Sequence, residues 1–189
     1  MAFDSPLAGE IWSKKYRFRP NDGVGDATVE ATWDRVATAL AEAEPAKLRG
    51  RWRARFRDAL EDYRFLPAGR ILAGAGTGRA VTLFNCFVMG TVPDDLDGIF
   101  LHLREAAVTM QQGGGVGMDF STVRPSGAPV RGVGAEASGP LSFMDVWDSM
   151  CRTIMSAGQR RGAMMGCLRI DHPDIEAFID AKRDAVRFR

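Results

Sequence analysis

Residues 109–119 read T-M-Q-Q-G-G-G-V-G-M-D, with four glycines in five positions between a helical apolar pattern and a short β-favouring run. Glycine loses more conformational freedom on ordering than any other residue. Such a cluster is therefore stable only where the backbone needs a positive φ, a tight packing contact or a ligand laid against it. Two common phosphate loops are excluded by spacing: no G-x-G-x-x-G follows a strand and opens a helix, and no G-x-x-x-x-G-K-[ST] occurs. A tight helix-to-strand turn and a bare backbone surface for a ligand are both compatible with this segment alone.

A chain of 189 residues is long enough for a full core, and 46% hydrophobic with 26% charged residues is ordinary for a soluble globular protein. Twenty-five basic against 24 acidic residues leave a net charge of +1, which argues against wrapping a nucleic acid polymer or docking on an anionic membrane. A charged ligand must be met by local groups. The start, Met-Ala-Phe-Asp-Ser-Pro, lacks a basic-then-apolar leader, and no apolar run approaches the roughly 18 residues of a membrane span, so a cytoplasmic protein is predicted. Cys86, Cys151 and Cys167 are odd in number and widely spaced. They form neither a disulfide framework nor a C-x-x-C zinc motif, and no metal site is predicted.

The pattern divides the chain into a helical front, residues 1–64, and a glycine-punctuated rear, residues 65–189. Val29, Trp33, Val36, Ala37 and Leu40 recur at helical spacing, as do Trp52, Phe56, Ala59 and Leu60, giving two amphipathic helices separated near Pro45. Arg49, Arg51, Arg53, Arg55 and Arg57 alternate, so they do not share one helix face and are expected to be solvated. Residues 66–78 form a predicted loop, residues 81–92 a predicted strand, and Asp94 with Asp95 the cap of a helix. Its predicted core stripe is Leu96, Ile99, Phe100, Leu103, Ala107 and Met110. A short strand over 116–120 follows, then a long loop to Gly139 and a helix opened by Pro140 with Met144, Trp147, Cys151 and Ile154 inward. The basic turn at 156–162 leads into a strand through Ile170, and Pro173 opens a last helix along Ile175, Phe178 and Ile179. Alternating strands and helices predict an α/β fold.

Three constellations fall on or beside loops. Asn85-Cys86 lies in the first strand, where a lone cysteine is most often a small buried hydrophobe. Asp94 with Arg124 and Arg131 could supply an acceptor for a ribose hydroxyl and two guanidinium forks for a polyphosphate; a helix cap with solvated arginines is an equal alternative. Arg160-Arg161, between two glycines, could carry charge to a phosphate or a base, or be an exposed helix end.

From residue 6 to residue 189 the chain resembles the N-terminal part of the large chain of class II, adenosylcobalamin-dependent ribonucleotide reductases. The resemblance is carried, in order, by F-L-P-A-G-R-I-L-A-G-A-G from Phe65, L-F-N-C-F-V from Leu83, P-D-D-L-D-G-I from Pro93, M-Q-Q-G-G-G-V-G from Met110, S-G-P-L-S-F-M from Ser138 and R-R-G-A-M-M from Arg160. It implies a helical segment followed by the first part of a ten-stranded α/β barrel, and removal of a ribonucleotide 2′-hydroxyl by thiyl-radical chemistry with adenosylcobalamin as cofactor. Cys86 matches the reducing thiol of the first barrel strand, which ends each turnover in a disulfide. Arg70, Asn85, Gly114 and Gly115 match substrate-side positions. Asp94, Arg124 and Arg131 match the site of a deoxynucleoside triphosphate effector. Gly158, Gln159, Arg160 and Arg161 match the loop that communicates effector identity to the substrate base.

The family's radical cysteine, in an N-x-C-x-E context, has no counterpart here, nor has the cysteine that partners Cys86. The resemblance therefore implies a piece of a reductase that needs the rest of the chain, or a complementing chain, to turn over. A non-catalytic nucleotide-binding or assembly module is the alternative. Unpaired strand edges of an incomplete barrel also predict association.

Overall fold

The computed structural model describes residue 3, residues 5–130, residue 132, residues 134–154 and residues 162–183. It separates into two compact units, Met1–Asn85 and Cys86–Arg189.

The first unit is helical. Helix α1 (Pro6–Ile11) runs into a π-helical turn (Trp12–Tyr16); α2 (Val29–Ala41) and α3 (Arg49–Leu60) form the pair expected from the apolar spacing. Thr28 caps α2 through its side chain, and Val29, Trp33, Val36 and Ala37 bury against Leu60 and Ala75. Arg57 leaves the solvated arginine row. It lies over the Trp33 ring at 5.1 Å and pairs with Asp34 at 3.0 Å.

Residues 66–78, expected as a loop, contain helix α4 (Gly69–Gly74). The reason is tertiary. Arg35 of α2, nearly buried, donates to the carbonyls of Leu72, at 3.0 Å, and of Ala75, satisfying acceptors at the end of α4 from a distant helix. The same guanidinium meets the buried Asp26 carboxylate at 2.8 and 3.1 Å; Asp26 also accepts from the Phe18 amide and the Thr32 hydroxyl. Val81 and Leu83, expected in a strand, would lie 3.0 and 3.1 Å from a Cβ at Gly74, so they pack in this unit instead. The strand β1 is accordingly short, Cys86–Thr91.

The second unit is a parallel α/β layer. Strand β1 is followed by α5 (Leu96–Gln111), β2 (Gly115–Asp119), a two-stranded antiparallel ribbon of β3 (Pro129–Val130) and β4 (Ala135–Glu136), α6 (Pro140–Thr153), β5 (Met164–Cys167) and α7 (Ile175–Asp180). The sheet order is β1-β2-β5, all parallel and not closed. The ribbon occupies the stretch expected to be a plain loop. Val116 and Met118 of β2, with Phe120 just after it, point into a core with Ile99, Ala106, Met110, Met144 and Trp147; Phe120 meets Trp147 edge-on at 5.2 Å.

Two parts of the expected apolar stripes are corrected. On α5 the inward row is Ile99, Leu103, Ala106 and Met110, whereas Leu96 and Phe100 are exposed. The helix meets the sheet along one narrow row, and Ala106 rather than Ala107 falls on it. On α7, Phe178 packs inward and Ile179 is exposed.

Candidate functional site

Each glycine of the 113–117 cluster has its own local surroundings. Gly113, at φ +97, follows the end of α5; its amide donates to Met110 O at 2.9 Å and that of Gly114 to Thr109 O at 3.0 Å, the paired bonds of a Schellman C-cap. Gly114 is buried, and a Cβ there would lie 2.7 Å from the Phe87 ring and 3.0 Å from the Thr109 methyl. Gly114→Ala is thus expected to destabilise the second unit by about 1–3 kcal/mol through overpacking, measured by denaturant unfolding; an unchanged midpoint would show that Phe87 moves aside freely. Gly115 then opens β2, and with Gly117 it faces away from the helices.

That second face of the sheet carries Cys86. Cys86 opens β1 in register with Gly115, and Val88 with Gly117, so the thiol stands beside a strand position that has no side chain. The cysteine is exposed rather than a buried hydrophobe. Met165 and Cys167 extend the same face from β5 and are exposed as well. Cys167 aligns with Asp119, four residues and two strand spacings from Cys86. That separation is roughly 16 Å, beyond the roughly 7 Å that a disulfide spans between Cα atoms. Cys151 is a packing residue. Burial pushes its thiol up to about 11, the Asp148 carboxylate adds to the shift, and its sulfur lies 3.6 Å from that of Met110.

At the opposite, C-terminal end of the strands, Asp94 and Arg124 meet. Asp95 caps α5 through its carboxylate, accepting from Gly98 N at 2.7 Å, and this leaves Asp94 available elsewhere. Arg124 Nε donates to both Asp94 oxygens at 3.0 and 2.9 Å, the Arg124 amide to Oδ1 at 3.0 Å, and Nη2 to the Asp94 carbonyl at 3.2 Å. The pair is about one-third exposed. It lines a cavity of about 770 Å³ with Ile99, Pro129, Ser138 and Phe143. Arg124 also borders a second cavity, of about 420 Å³, beside Ser121, Arg169 and His172.

Of the other sequence-predicted positions, Arg70 lies in α4 and Asn85 ends the first unit, where it is exposed. Arg131, Gly158, Gln159, Arg160 and Arg161 lie outside the described residues. Among the described residues, no group of His, Cys, Asp or Glu could hold a metal ion, and no helix is long and apolar enough to cross a membrane. Sequence reasoning missed three residues around the loop that bears Arg124: Gly139, His172 and Asp174. Asp174 follows Pro173 at a helix start, and its only sequence signal was that of a routine cap.

The sequence matches the all-alpha domain of ribonucleotide reductase over residues 2–80 and the reductase barrel domain over residues 84–188. It is 38% identical over 167 residues to a vitamin B12-dependent ribonucleoside-diphosphate reductase of Mycobacterium tuberculosis, covering 88% of this chain and 24% of that protein. A protein of the same description from Thermoplasma acidophilum is 35% identical over 178 residues, covering 94% of this chain and 22% of the relative. The ribonucleoside-diphosphate reductase subunit alpha of Chlamydia muridarum is 30% identical over 167 residues, covering 88% and 16%. The chain thus spans about a quarter of the length of its B12-dependent relatives. With a helical unit followed by an open parallel layer, and with both domain matches falling on those two parts in order, this chain belongs to the ribonucleotide reductase large-chain family.

Proposed function

We propose that this chain contributes the first substrate-side strand and part of the effector site to an adenosylcobalamin-dependent ribonucleotide reductase. The observation that carries the reading is the exposed Cys86 thiol aligned with Gly115, a reachable sulfur beside bare backbone. In the reaction, two thiols become a disulfide, giving up two electrons and two protons. The ribonucleotide loses its 2′-hydroxyl as water and gains hydrogen at that carbon. Cys86 is one of the two thiols. The second comes from the remaining reductase chain or from a complementing chain, because Cys151 is packed and Cys167 is too distant. The relatives are named as vitamin B12-dependent, and adenosylcobalamin, when bound, would supply the radical chemistry.

Asp94 and Arg124 form the effector end of the proposal, for a deoxynucleoside triphosphate. The carboxylate can accept from a sugar hydroxyl and the guanidinium can give its fork to phosphate, each exchanging part of the present pair for the ligand. Arg131 and residues 158–161 complete the proposed effector site and its communicating loop. Arg70, Asn85, Gly114 and Gly115 are the proposed substrate-side positions. A second reading, a nucleotide-binding or assembly module without catalysis, is favoured by one observation: the Asp94–Arg124 cavity is built within one unit, whereas no described cysteine can partner Cys86.

The effector reading is tested in the reductase polypeptide that carries this sequence. Arg124→Ala is expected to weaken deoxynucleoside triphosphate binding by about 1.5–3 kcal/mol, measured by calorimetry, with blurred substrate preference. Parent affinity in that variant would leave Arg124 a structural partner of Asp94 with no part in effector binding.

A further inference from the structure

We propose that His172 and Asp174 clamp the loop bearing Arg124 and act as positioning residues for effector binding, an inference that rests on the effector reading of Asp94 and Arg124. Asp174 is the N-cap of α7, where an aspartate ordinarily accepts from an amide of its own helix, yet its side chain makes no such bond. Its Oδ2 instead accepts from the Ser126 amide at 2.9 Å, 48 residues upstream. A capping group has been diverted from local use to a tertiary one.

His172 fixes the other side of Arg124. The ring is buried at 7% exposure, and its Nδ1 accepts from the Asp174 amide at 3.0 Å. That bond assigns the proton to Nε2, which donates to the Val123 carbonyl at 2.9 Å. Three backbone groups within four residues thus have side-chain partners from distant segments: Val123 O on His172, Arg124 N on Asp94, and Ser126 N on Asp174. Gly- and Pro-containing loops seldom hold one geometry unaided, and a guanidinium fork rewards alignment steeply. Moving the Val123–Ser126 backbone would swing Arg124 between the two cavities that it borders.

Gly139 supports the same junction independently. It sits at φ +79 before α6, and a Cβ there would lie 2.8 Å from Asp174 Oδ2 and 2.9 Å from Ser126 N. Any side chain at this position would wedge the carboxylate off the amide.

The test uses the reductase polypeptide that carries this sequence, with dATP, dGTP and dTTP as probes in calorimetry. Asp174→Ala is expected to weaken binding roughly tenfold, the loss of about one hydrogen bond's worth of positioning. Asp174→Asn keeps an oxygen that can accept from Ser126 N, and is expected to bind as the parent does. Gly139→Ala retains Asp174 but pushes its carboxylate off the Ser126 amide, and is expected to weaken binding like Asp174→Ala. It stands in if that variant does not fold. Parent affinity in Asp174→Ala and Gly139→Ala, with Arg124→Ala weakened, would overturn the clamp alone; so would equal weakening in Asp174→Asn and Asp174→Ala. Parent affinity in Arg124→Ala would instead remove the effector reading on which the clamp rests.

Discussion

Replacing Arg35 with alanine is expected to destabilise the helical unit by about 3–5 kcal/mol, the range for removing one partner of a buried ion pair. Small domains have about 5–15 kcal/mol in all, so a loss of this size takes a large share of the stability. Two losses coincide in this substitution. Asp26, 4% exposed, would keep its charge without a cation, and the Leu72 and Ala75 carbonyls would lose their donors at the end of α4. Arg35→Lys is not expected to rescue, because a point ammonium cannot serve Asp26 and two carbonyls with one planar fork. Arg57→Ala, which loses a partly exposed pair with Asp34 and the place of Arg57 over the Trp33 ring, is the comparison and should cost about 1–2 kcal/mol. Chemical denaturation followed by helix signal distinguishes them, and equal losses in Arg35→Ala and Arg57→Ala would show that the buried pair has no special role.

The same pair gives stability a pH dependence. Burial alone would raise the Asp26 carboxyl, but hydrogen bonds from Arg35, the Phe18 amide and Thr32, with the Arg35 charge, reverse this and hold it below its ordinary 3.8. A depressed carboxyl contributes stability that is fully present above pH 3.8 and is lost as the pH falls through the lower folded value. Acid unfolding of the Asp26→Asn variant should accordingly lack the part of the transition that titrates in that window.

Cys86→Ser is expected to abolish sustained deoxynucleotide formation in the reductase polypeptide that carries this sequence, while folding and effector affinity stay at parent values. Serine is nearly the size of cysteine but forms no disulfide, so a thiol needed in every turnover cannot be replaced by it. The exposed position of Cys86 permits the change without a packing loss. Multiple-turnover product with a dithiol reductant is the decisive measurement, and parent turnover in the serine variant would reduce Cys86 to an ordinary strand residue. Alkylation gives an independent view: near neutral pH a reagent should take Cys86 well before Cys151, whose half-buried thiol is pushed up to about 11.

The parts legible in advance were those governed by short-range rules. Val29, Trp33, Val36 and Ala37 placed α2 because a 3.6-residue repeat is a local property, and Pro140 marked the start of α6 for the same reason. The alternation of strand and helix after residue 85 followed from run lengths and turn residues, and it did settle the α/β class. The glycine cluster announced that the backbone between α5 and β2 was special. Only the structure divided its causes into a left-handed helix cap at Gly113, a packing contact at Gly114 and an open strand position at Gly115.

What sequence by itself determined, then, was the periodic content: which segments coil, which extend, and where glycine and proline interrupt them. Tertiary structure alone decided the pairings whose partners lie far apart along the chain. Arg35 turns a glycine-rich loop into α4 from 37 and 40 residues away, Asp94 takes Arg124 from 30, and Asp174 leaves its own helix for Ser126 across 48. Capping and propensity act over a turn or two of chain and leave a mark in local pattern. A long-range hydrogen bond to a carbonyl or an amide leaves none, because every residue offers the same backbone groups and only the folded path determines which of them a distant side chain can reach.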